Sequence, residues 1–163
     1  MQPQIERIVV PIDFTIASAR AAAYAQALAR PMGAALYLVH VLPPAVAAAR
    51  ARGTSASPVA DPREREYQEA RVRLEILGRR LGATPRVTTE VRTGEIAESI
   101  AEAAVHYGAD LVIMATNGRT GVSHLLAGSV AERVIRRGPC PVLVLRAPGT
   151  AKVHRPERQS RVA

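Results

Sequence analysis

Residues 109–146 hold two short apolar runs, three spaced glycines and one helix signal, an order that few folds can satisfy. The run from residue 111 to 115 is continuously apolar and has the length of a buried strand. Gly118, Gly121 and Gly128 punctuate the segment after it. Ser129-Val130-Ala131-Glu132 has the S-x-x-E spacing of a capping box at a helix start. Gly138-Pro139 predicts the end of that helix, a capping glycine followed by a residue that cannot continue it. A second apolar run covers residues 142–145. Strand, glycine-bearing loop, helix and strand follow in turn. Such a loop exposes backbone N–H groups near the positive end of a helix, where a phosphate is stabilised.

The alternation extends upstream. Residues 7–13 read as a first strand, with Asp13 just past its C-terminal end. Thr15 caps an alanine-rich helix over 17–30, which Pro31-Met32-Gly33 stops. Residues 35–41 form a second buried strand. Residues 42–62 carry Pro43, Pro44, Gly53 and Pro58 and read as a long loop, either a binding lid or an insertion without a role. The spacing of Tyr67, Ala70, Leu74, Leu77 and Leu81 predicts a helix over 63–81, ended by Gly82. Residues 86–92 alternate, with Val87, Thr89 and Val91 on one face, and Pro85 before them suits a sheet edge. Residues 95–107 predict an amphipathic helix with Ile96, Ile100 and Ala103 or Ala104 inward. Five strands alternating with four helices predict an α/β domain with a mostly parallel sheet covered on both faces. The length of 163 residues suits one domain, over 1–147. The tail over 148–163 is basic, lacks apolar periodicity and reads as disordered.

The C-terminal stretch resembles universal stress proteins. That family's nucleotide motif is Gly, two residues, Gly, nine residues, Gly, then Ser or Thr. Gly118 matches the second glycine, residues 119–127 the nine between, and Gly128-Ser129 the close. The first glycine position holds Ala115, a departure. The match runs on through Val130-Ala131-Glu132-Arg133-Val134 and Pro139-Cys140-Pro141-Val142. The resemblance implies an open, doubly wound, Rossmann-like sheet of five parallel strands in the order 3-2-1-4-5. Ligands of such sheets sit beyond the strand C-termini where the order reverses, here between strands 1 and 4. The resemblance further implies ATP as ligand, with Mg2+ held by the phosphates rather than by protein. It implies a homodimer joined through strand 5, whose run Val142, Leu143, Val144, Leu145 would be a bare apolar edge; the alternative is that residues 148–163 fold back to cover that edge.

On this reading Asp13 accepts from an adenine amino group or a ribose hydroxyl; the alternative is a residue capping the first helix. Pro11 and Val41 line the base pocket, with Met114 beneath. The phosphate segment is Ala115, Thr116, Asn117, Gly118, Arg119, Thr120, Gly121, Gly128, Ser129, Val130 and Ala131. Arg119 is a candidate cation for the phosphates. Ala115 favours a second possibility, a nucleotide-free member acting through an unidentified protein partner. A slow ATP hydrolase is a third.

Composition sets the limits. The single lysine, Lys152, lies in the tail, so there is no Gly-Lys-Ser/Thr phosphate loop. The four histidines show no metal spacing, and no catalytic triad or carboxylate pair can be assembled. A nucleotide sensor is therefore expected rather than a fast enzyme. The net charge of +8 comes with only 3% aromatic residues and no tryptophan, which speaks against nucleic acid as partner. No apolar run reaches the roughly 20 residues of a membrane span. One cysteine, Cys140, and no evident signal peptide lead to the expectation of a cytoplasmic protein with a buried structural thiol.

Overall fold

The computed structural model describes residues 4–44, 62–82, 86–116 and 130–146. These residues form β1 (Arg7–Pro11), α1 (Ile16–Met32), β2 (Ala35–Leu42), α2 (Pro62–Arg80), β3 (Val87–Thr93), α3 (Ile96–His106), β4 (Leu111–Thr116), α4 (Val130–Arg137) and β5 (Val142–Arg146). The strands build one sheet in the order β3-β2-β1-β4-β5, and every pairing is parallel. This is the open α/β sheet that the alternation predicts, in the order that the resemblance implies. The expected lid over residues 43–62 and the basic tail fall almost wholly outside the described residues, as does Pro85.

Strand pleating sends successive side chains to opposite faces, and each face has its own core. Ile8, Val10, Leu36, Leu38 and Ile113 pack with alanines of α1 and Leu74 of α2. Val9, Val39, Val41, Val112 and Met114 pack with Ile100, Ala103 and Ala104 of α3 and Ala131 and Val134 of α4. Burial on both faces explains why the strands read as continuous apolar runs.

Helix α1 starts where the sequence places it: the Thr15 side chain accepts from the Ser18 amide at 3.2 Å. It does not stop at Pro31. A proline in the last turn removes only one helical N–H, so the helix continues to Met32. The stop is Gly33, at φ +66°, whose amide returns to the Arg30 carbonyl. Helix α4 ends immediately before Gly138, as the sequence predicts, although this glycine is not left-handed. Its amide bonds the Val134 carbonyl at 2.7 Å, and a Cβ there would lie 2.8 Å from that oxygen. Close approach selects this glycine, not its φ. In α3 the inward face is shifted from the expected one: Ala97 is fully buried, whereas Ile96 is 37% exposed. Cys140 is half-buried rather than buried, and burial followed by the nearby Asp110 raises its thiol pKa.

The two sheet edges differ. Along β3, Arg92 Nε stands 3.0 Å from Glu90, an ion pair without good hydrogen-bond alignment, and the Tyr107 hydroxyl donates to Glu90 at 2.8 Å. Burial, reinforced by Glu90, pushes the Tyr107 phenol up to about 12. Along β5, Val142 and Val144 turn to one core and Leu143 and Leu145 to the other, all half-buried.

Leu38 is fully buried beneath α1 and α2. Leu38→Ala should cost about 2–5 kcal/mol, read as a lower urea midpoint with an unchanged slope. A loss under ~1 kcal/mol would contradict the packing described.

Candidate functional site

The site begins where two neighbouring strands part. β1 pairs with β2 over all its residues, but with β4 only at Ile8–Leu111 and Val9–Val112. Past Pro11 the chain stays with β2, the Ile12 amide donating to the Val39 carbonyl at 2.8 Å. The C-terminal half of β4 is left facing a gap. That gap is a cleft of about 190 Å3, at the reversal of strand order.

Its walls are mostly apolar: Val39 and Val41 from β2, Ile96 and Ile100 from α3, and Met114 from β4. Asp13 stands at the rim, exposed, next to Pro11 and Ile12. Ala115, the last described side chain of β4, and Val130, the first residue of α4, both line the cleft. Among the expected site residues, Asn117, Gly118, Arg119, Thr120, Gly121, Gly128 and Ser129 lie outside the described residues. Pro11, Asp13, Val41, Ala115 and Val130 are brought together, whereas Ala131 is buried in the core behind. Thr116 is the last residue of β4. A broader hollow of about 620 Å3 lies beside β3 around Glu75, Arg79 and Arg86. It is a surface depression far from the strand C-termini, where open α/β sheets place their ligands.

Asp13 supports the start of the first helix through Thr15, which is itself the N-cap. Its Oδ1 accepts from the Thr15 amide at 3.0 Å and the Thr15 hydroxyl at 2.6 Å, which fixes the turn before α1. The carboxylate still faces the cleft. Burial acts to raise its pKa, but hydrogen bonds from Thr15 and Ser18 outweigh that and hold it below the usual carboxylate range. Between Asp13 and Thr15, Phe14 adopts φ +59°, a left-handed conformation costly for a bulky residue. Its ring sits 4.4 Å from that of His40. The His40 Nδ1 lies 2.6 Å from the Ile12 carbonyl, which can only accept, so Nδ1 carries the proton. These contacts hold the turn open. Sequence reasoning missed Ile12, Ser18, Val39 and His40 as site residues. Strand register, not local pattern, brings Val39 and His40 to the cleft, and Ser18 reaches it from the first turn of α1.

Helix α4 is fastened to α3 from its neighbouring side. Arg133 pairs with Glu95, and Arg137 with Glu98 at 3.1 Å. Glu95 also caps α3 by accepting from the Glu98 amide at 3.0 Å. That amide, ahead of Arg133, holds the Glu95 carboxyl below its ordinary range. No group of histidine, cysteine, aspartate or glutamate among the described residues could hold a metal ion.

A family model, described as the Universal stress protein family, matches residues 4–146. The chain belongs to this family. A universal stress protein of Methanocaldococcus jannaschii is 34% identical over 143 residues, 88% of this chain and 83% of that one. Among solved structures, a universal stress protein in complex with cAMP superposes with a TM-score of 0.60 at 24% identity, covering 88% of this chain and 98% of that one. The Archaeoglobus fulgidus universal stress protein in complex with dAMP gives 0.58 at 23%, covering 86% and 98%. At these identities the two structures establish the fold.

Asp13 yields a pH prediction. Its folded pKa lies below its unfolded one, so its stabilisation is complete above about pH 4 and is lost as pH falls through the folded value. The stability gap between wild type and Asp13→Ala should narrow from pH 7 to pH 3 in urea melts. A gap that widens would refute the bonding at Oδ1.

Proposed function

We propose that this protein binds an adenine nucleotide, ATP foremost, in the cleft between β1 and β4, and serves as a nucleotide-dependent stress-response or signalling module in the cytoplasm. One observation carries the reading. An apolar slot with a carboxylate at its rim is lined by Ala115 of β4 and Val130 of α4, the described residues that flank the Gly118–Gly128–Ser129 motif in sequence. Val39, Val41, Ile100 and Met114 suit the faces of a flat base. Asp13 suits an amino or ribose hydroxyl donor. The start of α4, tied to α3 by Arg133 and Arg137, suits phosphate. The family members bound to cAMP and dAMP support the same ligand class. With no metal-ligating cluster among the described residues, Mg2+ would arrive on the phosphates. Two groups of the described cleft could take a proton, Asp13, already bonded by Thr15, and His40, whose Nδ1 is bonded to the Ile12 carbonyl; holding ATP rather than cutting it is the reading put first.

Protein purified without added nucleotide should release ATP or another adenine nucleotide on denaturation, detected by mass. Stripped protein should bind ATP, and Gly118→Val or Gly128→Val should weaken it by roughly tenfold or more, ~1.4 kcal/mol, with unchanged far-UV circular dichroism. Absence of binding at millimolar ATP would instead make Ala115 the mark of a nucleotide-free member working through protein partners. In that event Ala115→Gly, which removes the methyl lining the cleft, should restore affinity.

We also propose a homodimer through β5. The Val112 amide bonds the Pro141 carbonyl; parallel alternation then turns the Leu143 and Leu145 amides toward β4 and those of Val142 and Val144 outward. Charged residues at 142 or 144 would disturb the core as well as the edge. Val144→Pro removes only an outward donor. Wild type should sediment as a dimer and Val144→Pro as a monomer; a monomeric wild type would refute the edge pairing.

A further inference from the structure

On the face of the sheet opposite the cleft, a hollow of about 230 Å3 opens between α1 and α2. One wall is a single stripe of α2: Arg73, Ile76, Leu77 and Arg80, spaced i, i+3, i+4, i+7. The buried Ile12 lies at its base, beside the Phe14 ring. The first turn of α1 closes it, with Thr15 and Ala19.

Three features set this hollow apart from ordinary surface. No acidic residue lines it. Neither Arg73 nor Arg80 has a carboxylate within ion-pair distance among the described residues, whereas Arg71 on the same helix pairs with Glu75. Second, Arg73 is pre-positioned: its guanidinium carbon sits 4.0 Å from the centroid of the Phe14 ring, a cation–π contact. Phe14 is itself held in a left-handed conformation, between Arg73 and His40. Third, Ile76 between the two arginines stays 45% exposed, an apolar surface inside a cationic frame.

We infer that this hollow binds a small organic anion, with a phosphate or carboxylate head held by Arg73 and Arg80 and an apolar body against Ile76 and Phe14. Two guanidinium forks one helical stripe apart match an oxyanion head, and the exposed isoleucine gives the body a surface that water does not favour. The hollow shares Ile12 and Ser18 with the nucleotide cleft but none of Val41, Met114 or Ala115, so the two ligands are told apart by the side chains each shifts.

The test is an NMR titration of the full chain with phenyl phosphate and benzoate, with inorganic phosphate and benzyl alcohol as the isolated head and body. Phenyl phosphate or benzoate should saturably shift the Ala19 amide, the Ile76 methyls and the Arg73 and Arg80 Nε–H signals, and the tighter of the two identifies the head. Inorganic phosphate and benzyl alcohol should each bind much more weakly. Arg80→Gln should weaken binding by about ten- to a hundredfold, the worth of a charge-assisted hydrogen bond, with shifts elsewhere unchanged. Arg73→Lys, which keeps charge but loses the fork and the stack, should fall between. Saturable shifts confined to Val41 and Met114, inorganic phosphate binding as tightly as phenyl phosphate, or an unaffected Arg80→Gln would each overturn the inference. So would the absence of any saturable shift.

Discussion

The rest of the structure depends on how β1 shares its two sides. Ile8, Val9 and Val10 are fully buried in the middle of the sheet. On one side β1 pairs throughout with β2; on the other its ladder with β4 is only two residues long. A longer ladder would bring Pro11 against the end of β4 and leave no cleft. The opening comes from a strand that follows one neighbour and abandons the other. The Ile12 amide on Val39 and the His40 ring on the Ile12 carbonyl both act to keep it with β2.

The turn that follows is where backbone strain and side-chain chemistry meet. Asp13, Phe14 and Thr15 divide three tasks among consecutive positions. Asp13 bonds Thr15 while facing the cleft, Phe14 takes the unfavourable φ, and Thr15 caps α1. The strain at Phe14 is offset by contacts from two other elements, His40 of β2 and Arg73 of α2. A single bulky residue thus links the walls of both hollows at the C-terminal end of the sheet.

What was legible in the sequence followed from period and caps. Buried runs gave the strands, apolar spacing gave α2, and Thr15 as a capping residue gave the start of α1. Asp13 was singled out through the family resemblance, since a carboxylate at a strand end also has a structural use before a helix, as its bonds to Thr15 show. Where the reading missed, the cause was nonlocal. Pro31 is a helix breaker by rule, yet its cost is small in a last turn whose stop is supplied two residues later. Ile96 looked inward because its spacing to Ile100 is helical; Ala97 won the buried position because small residues let α3 lie close to the sheet. Nothing local marks Phe14 for a left-handed backbone or His40 for the Ile12 carbonyl, since both depend on which strand lies alongside. Nothing in the sequence singled out Ser18, whose amide meets the Thr15 cap and whose side chain lines the cleft.

The unlike edges of the sheet bear on how far association can go. β3 carries Glu90 and Arg92, tied to one another and to Tyr107, and charged side chains on an edge strand discourage a neighbour from docking. β5 has no ion pair among its described apolar residues. A sheet receptive at both ends can add copies without limit, as fibres do. One receptive at a single end is used up by its first partner, so growth along the sheet terminates at a closed pair.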